Sequence, residues 1–84
     1  MSFEAIWANI EKHAGEEFKT KTGIPFTYHM DGTSVVPDHT NYPLAKGQFA
    51  KAADIKDLRG PGQINFSVRG PSYIYAILTD PRIR

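Results

Sequence analysis

The sequence predicts a two-layer α+β domain, in which an N-terminal helix and one or two later helices pack on a small antiparallel sheet. An apolar stripe of helical period opens the chain, and a weaker one lies beyond its middle. Between them, an Asp-Gly pair separates two segments rich in strand-forming residues, which predicts a hairpin over residues 26–37. The chain has 84 residues. That length fits one domain, residues 1–84.

The first helix is predicted over about residues 3–14. Ser2 is a suitable N-cap and Gly15 a suitable end. Apolar residues recur at the spacing of one helical face: Phe3, Ile6, Trp7, Ile10 and Ala14. We therefore expect this face to be buried, with Trp7 as the main anchor of the helix in the core.

The central hairpin is predicted to turn at Asp31-Gly32. A type I′ turn at this pair requires positive φ at both central residues. A two-residue loop would place Met30 opposite Thr33 and His29 opposite Ser34. This register puts four apolar side chains on one face, toward the core: Phe26, Tyr28, Met30 and Val35.

The remaining elements are shorter. A strand is expected around Phe18, and a second helix over about residues 46–56. The segment 71–79 is open to two interpretations. Pro71 suits the first position of a helix, which we favour, with a stop at Asp80-Pro81. Its β-branched and aromatic residues also suit a strand paired with residues 64–68.

Composition excludes several classes of protein. The chain has no cysteine, so it has no disulfide framework, no thiolate zinc site and no thiol nucleophile. The absence of disulfides favours a reducing compartment, and we expect a cytoplasmic protein. Its N-terminus lacks the basic region of a signal peptide. The longest apolar run, residues 73–78, is too short to cross a bilayer. We therefore expect no membrane partner.

Two other chemistries have little support. His29, Asp31, Asp38 and His39 are possible metal ligands, but their spacing matches no established template. We expect neither a metal nor a cofactor. Carboxylates near His13 and on the second helix do not form a nucleophile–base–orienter set with other residues. Catalysis is therefore the third interpretation, behind two kinds of binding, and no catalytic residue is assigned.

The candidate binding site lies at Arg69-Gly70-Pro71-Ser72-Tyr73. Residues 59–84 hold all four arginines and one acid, a net charge of +3. If a helix starts here, the unpaired amides around Ser72 and Tyr73 favour an anion, with Arg69 beside them. Gly70 would let a ligand approach the backbone. In the alternative interpretation, the segment is an ordinary turn with a solvated arginine.

Two functions follow from these features. The first is a nucleic-acid-binding or accessory domain that contacts phosphate, although its pI of about 8.0 is below the values above about 9 typical of such domains. Lys19 and Lys21, which flank Thr20, add some support. The second is a protein-interaction module, such as a homodimer formed through an exposed strand edge. The predicted anion-binding residues are Arg59, Arg69, Gly70, Ser72, Tyr73 and Arg82.

One set of motifs spans most of the chain: Trp7, Ile10, Phe18-Lys19-Thr20, Phe26-Thr27-Tyr28, Gly70-Pro71-Ser72-Tyr73-Ile74 and Ala76-Ile77-Leu78-Thr79-Asp80-Pro81-Arg82-Ile83. In this pattern the chain resembles small bacterial single-domain proteins of uncharacterised function. The resemblance implies no activity and identifies no site residue.

Overall fold

The computed structural model describes residues 2–40, 42–64 and 70–84. Within them the chain forms helices and short strands in this order: α1 Phe3–Lys12, β1 Phe18–Lys19, β2 Pro25–Phe26, β3 Tyr28–Asp31, β4 Ser34–Pro37, β5 Leu44–Ala45, α2 Lys46–Ala53, a 3₁₀ turn Pro61–Gln63 and α3 Pro71–Leu78. The strands form two antiparallel sheets, β1–β2 and β3–β4–β5. This arrangement confirms the predicted α+β class. None of the described helices is long and apolar enough to span a bilayer.

Helix α1 begins as the sequence predicts. The Ser2 hydroxyl accepts a hydrogen bond from the amide of Ala5 at 3.3 Å. Ile6, Trp7 and Ile10 of the apolar stripe are buried, and Phe3 and Ala14 are partly buried. Trp7 is only 5% exposed, which confirms it as a core anchor. The helix ends at Lys12, two residues before the predicted end. Gly15 lies beyond it at φ +90°, and its amide donates to the carbonyl of Tyr28 at 2.9 Å.

The central hairpin forms, but its predicted turn type is wrong. Asp31 pairs with Ser34, so the two loop residues are Gly32 and Thr33. Gly32 has φ +62°, whereas Thr33 is not among the described residues of positive φ. This combination matches a type II′ turn, which needs positive φ only at its first central residue. Glycine adopts that conformation without steric cost, so Asp31 is free to extend the strand.

The register of the hairpin also differs from the prediction, by two residues. Met30 lies opposite Val35 and His29 opposite Val36. Because side chains alternate with a period of two, an even shift leaves every residue on its predicted face. Tyr28 and Val35 are accordingly buried. The core face was predicted correctly although the partners were not.

The predicted single sheet is divided at Thr27. Its amide donates to Asp38 Oδ1 at 3.0 Å, and its carbonyl accepts from the Asp38 amide at 2.9 Å. Phe26, on one side of this break, pairs with Phe18 rather than with the strand that follows the hairpin turn. The result is a two-stranded sheet that is separate from the three-stranded one.

Helix α2 follows β5 directly and ends at Ala53, three residues before its predicted end. Phe49 and Ala52 are fully buried. Phe49 packs edge-on against Trp7 with ring centroids 5.7 Å apart, which joins α2 to α1.

The segment 71–79 is a helix, so the strand alternative is wrong. Pro71 is its first residue, and the amide of Ile74 donates to the carbonyl of Gly70 at 3.0 Å. The hydroxyl of Thr79 donates to the carbonyl of Tyr75 at 2.7 Å at the other end. The strand predicted at 64–68 lies, apart from the buried Ile64, outside the described residues.

The end of the chain is held by Arg82. Its Nε donates to Asp80 Oδ1 at 2.9 Å and its Nη1 to Glu16 Oε1 at 3.1 Å. Its Nη2 donates to the carbonyl of Glu17 at 2.9 Å, and the guanidinium carbon lies 3.9 Å from the ring centroid of Phe18. We call this set (Arg82, Asp80, Glu16 and the Glu17 carbonyl) the Arg82 clasp.

Both carboxylates of the clasp have lowered pKa values. Hydrogen bonds from Arg82 lower the pKa of Asp80 below its usual value of 3.8. A hydrogen bond with His13, supported by Arg82, lowers the pKa of Glu16 below 4.5.

Burial raises the pKa of Tyr28, whose hydroxyl donates to the carbonyl of Ile10 at 2.7 Å.

Replacing Trp7 with alanine should lower the free energy of unfolding by about 3–5 kcal/mol, because it truncates a buried aromatic side chain. Urea denaturation followed by circular dichroism measures the change. Ile24→Ala is the control, since Ile24 is 56% exposed and exposed positions usually change stability by about 0.5 kcal/mol or less. A Trp7→Ala protein with wild-type stability would contradict the core assignment.

The free energy of unfolding should fall as the pH drops below the usual pKa range of Asp80 and Glu16. Both carboxylates bind protons less tightly in the folded state, so their contribution is present above the unfolded pKa and lost below the folded one. Asp80→Asn should therefore reduce the free energy of unfolding at neutral pH and make it depend less on pH in the acidic range. Urea denaturation as a function of pH tests this, with Asp54→Asn at the exposed C-cap of α2 as the control. Equal pH profiles for Asp80→Asn and the wild type would show that Asp80 does not contribute to the pH dependence of stability.

Candidate functional site

A cleft of about 290 Å³ opens between the turn that joins β1 to β2 and the first turn of α3. It includes four residues of the predicted segment Arg69–Tyr73 and also Lys21, together with residues to which the sequence gave no role in binding. The described residues that line it are Thr20, Lys21, Thr22, Ile24, His39, Pro61, Gly70, Pro71, Ser72 and Tyr73. The cleft therefore lies where α3 begins, at the predicted anion site.

The turn between β1 and β2 is closed by hydrogen bonds on Thr20. Its amide donates to the carbonyl of Ile24 at 2.9 Å, and its carbonyl accepts from the Gly23 amide at 2.9 Å. Its hydroxyl also accepts from the amide of Ile24 at 3.1 Å. The turn holds Ile24 on the surface, where its side chain is 56% exposed. One wall of the cleft is thus a defined turn that carries an exposed apolar residue.

Gly70 is required by packing at the opposite wall. A Cβ atom on this residue would lie 2.5 Å from Cδ2 and 2.8 Å from Cδ1 of Leu44, which is itself 1% exposed. The φ angle of Gly70 is −147°, so its backbone does not itself demand glycine. The sequence suggested that Gly70 leaves room for a ligand; the structure shows that it leaves room for Leu44.

The first turn of α3 presents backbone donors. The first N–H groups of a helix have no intrahelical acceptor, and within the described chain no side chain caps α3. Pro71 has no N–H, so the free donors of this turn come from Ser72 and Tyr73. Ser72 is exposed, and the ring of Tyr73 packs edge-on against Phe26 with centroids 4.9 Å apart.

Lys21 brings a positive charge to the cleft, and its position is defined. Its Nζ donates to the carbonyl of Arg59 at 3.0 Å and lies 5.8 Å from the ring centroid of Tyr75. The Tyr75 hydroxyl donates to the same carbonyl at 2.9 Å. The side-chain oxygen of Gln63 accepts from the amides of Arg59 and Gly60. A hydrogen-bonded loop therefore holds the ammonium group.

His39 adds a second nitrogen donor at the margin of the cleft. Its Nε2 lies 3.0 Å from the carbonyl of Pro25, and since a carbonyl only accepts, this nitrogen carries a proton. Among the described lining residues there is no carboxylate. The described lining therefore carries no negatively charged side chain.

Only some of the predicted site residues lie at the cleft. Gly70, Ser72 and Tyr73 line the cleft, whereas Arg59 and Arg82 are not among its described lining residues. The guanidinium of Arg59 is 79% exposed and pairs with Asp57, and that of Arg82 belongs to the Arg82 clasp. Arg69 lies outside the described residues.

Sequence reasoning gave Lys21 a minor role and missed Ile24 and His39 as neighbours of α3. One signal was present, because an isoleucine between Gly23 and Pro25 is an apolar residue within a turn. The other contacts could not be predicted, because the residues of the two walls are far apart in the sequence. The possible metal ligands His29, Asp31, Asp38 and His39 do not form a site, since the described residues contain no group of three or more His, Cys, Asp or Glu that could hold an ion.

Comparisons of the chain with protein-family models, curated proteins and solved structures find no match. The site is therefore interpreted from its own geometry. Its chemistry combines an ammonium group, backbone amides and hydroxyls with an apolar surface around Ile24 and Tyr73.

Replacing Gly70 with alanine should destabilise the protein by about 1–3 kcal/mol, the usual cost of adding atoms to a packed core. Chemical denaturation measures the change, and Gly62→Ala is the control, since among the described residues beyond its chain neighbours no atom lies within 4 Å of its added Cβ. Combining Gly70→Ala with Leu44→Val should cost less than the sum of the two single changes, because valine makes room for the new methyl group. Strict additivity would contradict the contact.

Proposed function

We propose that the protein binds nucleic acid and holds a backbone phosphate in the cleft at the start of α3. The observation that carries the proposal is one cleft lined by possible donors from two distant parts of the chain. Lys21 comes from the β1–β2 turn, and the amides of Ser72 and Tyr73 come from α3. Lysine is a common phosphate ligand, and helix N-termini favour anions through unpaired amides and the helix dipole.

The charge of the protein supports few phosphate contacts. Its net charge is +1, so binding through a broad basic surface has little support. Each neutralised phosphate contributes about −0.9 to the slope of log K against log salt on duplex DNA and about −0.7 on single strands. We therefore expect a shallow slope that corresponds to about one to three contacts.

Arginines outside the cleft extend the proposal. Arg69 directly precedes Gly70 in the sequence and remains a proposed phosphate contact on that ground. The exposed pair of Arg59 with Asp57 should be worth about 1 kcal/mol or less, so Arg59 could exchange its carboxylate for a phosphate. Arg82 is a different case, because the Arg82 clasp occupies its guanidinium. We leave Arg82 out of the proposed contact surface.

We also propose a cytoplasmic location. Cysteine is absent from the chain, which suits a reducing compartment, and nucleic acid is accessible there.

A second candidate function is a protein-interaction module. Ile24 supports it, because this isoleucine is one of two exposed large hydrophobic residues among those described, with Tyr42. A partner protein or a second copy of the chain could cover it. Size-exclusion chromatography with light scattering tests the homodimer: a mass that falls to that of a monomer in Ile24→Ser would support it. A monomeric wild type at all concentrations would rule it out.

Lys21→Gln should reduce the salt slope of binding by about one unit and weaken DNA and RNA of all sequences alike. Fluorescence anisotropy with labelled oligonucleotides over a range of salt concentrations measures this. Lys19→Gln is the matched control, because it removes the same charge two residues away, in β1, but Lys19 does not line the cleft. Arg69→Ala and Arg59→Ala test the two proposed arginine contacts in the same way.

The outcomes separate the possibilities. No binding of wild type to DNA or RNA at low salt would eliminate the nucleic-acid function and leave the interaction module. Binding with equal slopes for wild type, Lys21→Gln and both arginine variants would place the nucleic acid on another surface.

A further inference from the structure

We infer that the cleft takes single-stranded nucleic acid, with one unpaired base against Tyr73 and Ile24 and the adjoining phosphate at Lys21 and the start of α3. This inference rests on the proposed function and specifies its ligand. It concerns the apolar half of the cleft, which phosphate binding alone does not use.

The apolar half is formed by side chains that a phosphate would not contact favourably. Ile24, Pro61, Pro71 and Tyr73 line the cleft beside the polar groups. Ile24 is 56% exposed, and covering it would remove apolar surface from water. A ligand that matches both halves has a flat apolar body joined to an anion. A nucleotide has this composition.

The ring of Tyr73 is positioned before any ligand arrives. It packs edge-on on Phe26 at 4.9 Å and 71°, and Phe26 packs in turn on Phe18 at 6.1 Å. Both phenylalanines are buried. Because the ring is already held, little side-chain freedom is lost when a base packs against it. Stacking of bases on aromatic side chains is a usual means of binding single strands.

The size of the cleft favours a single strand over a duplex. Its volume of about 290 Å³ is near the lower end of the range of about 300–1,000 Å³ for small-ligand pockets. One base with its sugar and phosphate is a ligand of that class. In a duplex the bases are stacked and present only their edges in the grooves. Inserting one into the cleft would first require unstacking.

Charge complementarity also supports this ligand. Lys21 lines the cleft, and the described lining residues include no acid. Lys21 is exposed, and its Nζ donates to the Arg59 carbonyl at 3.0 Å, which fixes the position of its charge. The apolar half can then receive the base while the polar half receives the phosphate.

The test compares three ligands of equal length: oligothymidylate, an abasic oligomer with the same phosphates, and a duplex. Oligothymidylate should bind about 5- to 150-fold more tightly than the abasic oligomer, the factor expected from stacking one base. At low salt it should also bind more tightly than the duplex. Fluorescence anisotropy gives each dissociation constant and each salt slope.

Two variants separate base contact from phosphate contact. Tyr73→Leu, which keeps an apolar side chain on Phe26, should reduce the preference for oligothymidylate over the abasic oligomer and leave the salt slope unchanged. Lys21→Gln should reduce the salt slope and leave the preference for oligothymidylate over the abasic oligomer unchanged. Tyr42→Leu is the matched control, an exposed tyrosine that does not line the cleft. Ile24→Ser supplies a second base-contact variant at an exposed position, should Tyr73→Leu not fold.

Equal affinity for oligothymidylate, the abasic oligomer and the duplex, with Lys21→Gln still lowering the slope, would overturn this inference and leave phosphate binding intact. Tighter binding of the duplex would overturn it as well. Absence of all binding would remove the proposed function and this inference together, in favour of a protein partner at Ile24. A preference lost in both Tyr73→Leu and Ile24→Ser, but kept in Tyr42→Leu, would establish the base site.

Discussion

The contact between Gly70 and Leu44 holds the start of α3 against β5. A methyl group at position 70 would lie 2.5 Å from the Leu44 side chain, so any larger residue there would have to displace Leu44. Leu44 pairs with Val35 in the three-stranded sheet, and both side chains are buried. The first turn of α3 is therefore placed by a core contact of the sheet. The same turn forms one wall of the cleft, which ties the candidate site to the packing of the fold.

The Arg82 clasp acts at the other end of α3. It joins the segment after that helix to Glu16 and to the carbonyl of Glu17, just before β1. The guanidinium also covers the ring of Phe18, which is buried. A side chain with this many partners has a structural role that is sufficient to explain it. Positive charge near the end of a sequence is thus not equivalent to positive charge on a binding surface.

The cleft combines groups that also have structural partners. Lys21 is held through the Arg59 carbonyl, and the Gln63 side chain accepts from the amide of Arg59. Tyr73 is held by Phe26. Groups that are positioned before binding lose less freedom when a ligand arrives, which lowers the cost of association. A domain of this size has a thin stability margin, so using core contacts to position the site avoids a separate supporting structure.

By itself, the sequence determined the local features. Helical periodicity located α1 and its buried face, Ser2 its start, and Pro71 the start of α3, because each of these depends on residues within one turn of helix. Alternation located the core face of the hairpin, and this result survived the two-residue error in register. The tertiary structure alone decided which residues meet across the chain. The pairing of Asp31 with Ser34 depends on turn geometry that Asp-Gly does not specify uniquely. The cleft brings Lys21 and Ile24 next to α3, although some fifty residues of sequence separate them from it. Arg82 pairs with the carboxylates of Asp80 and Glu16. No short segment of the sequence specifies such long-range packing.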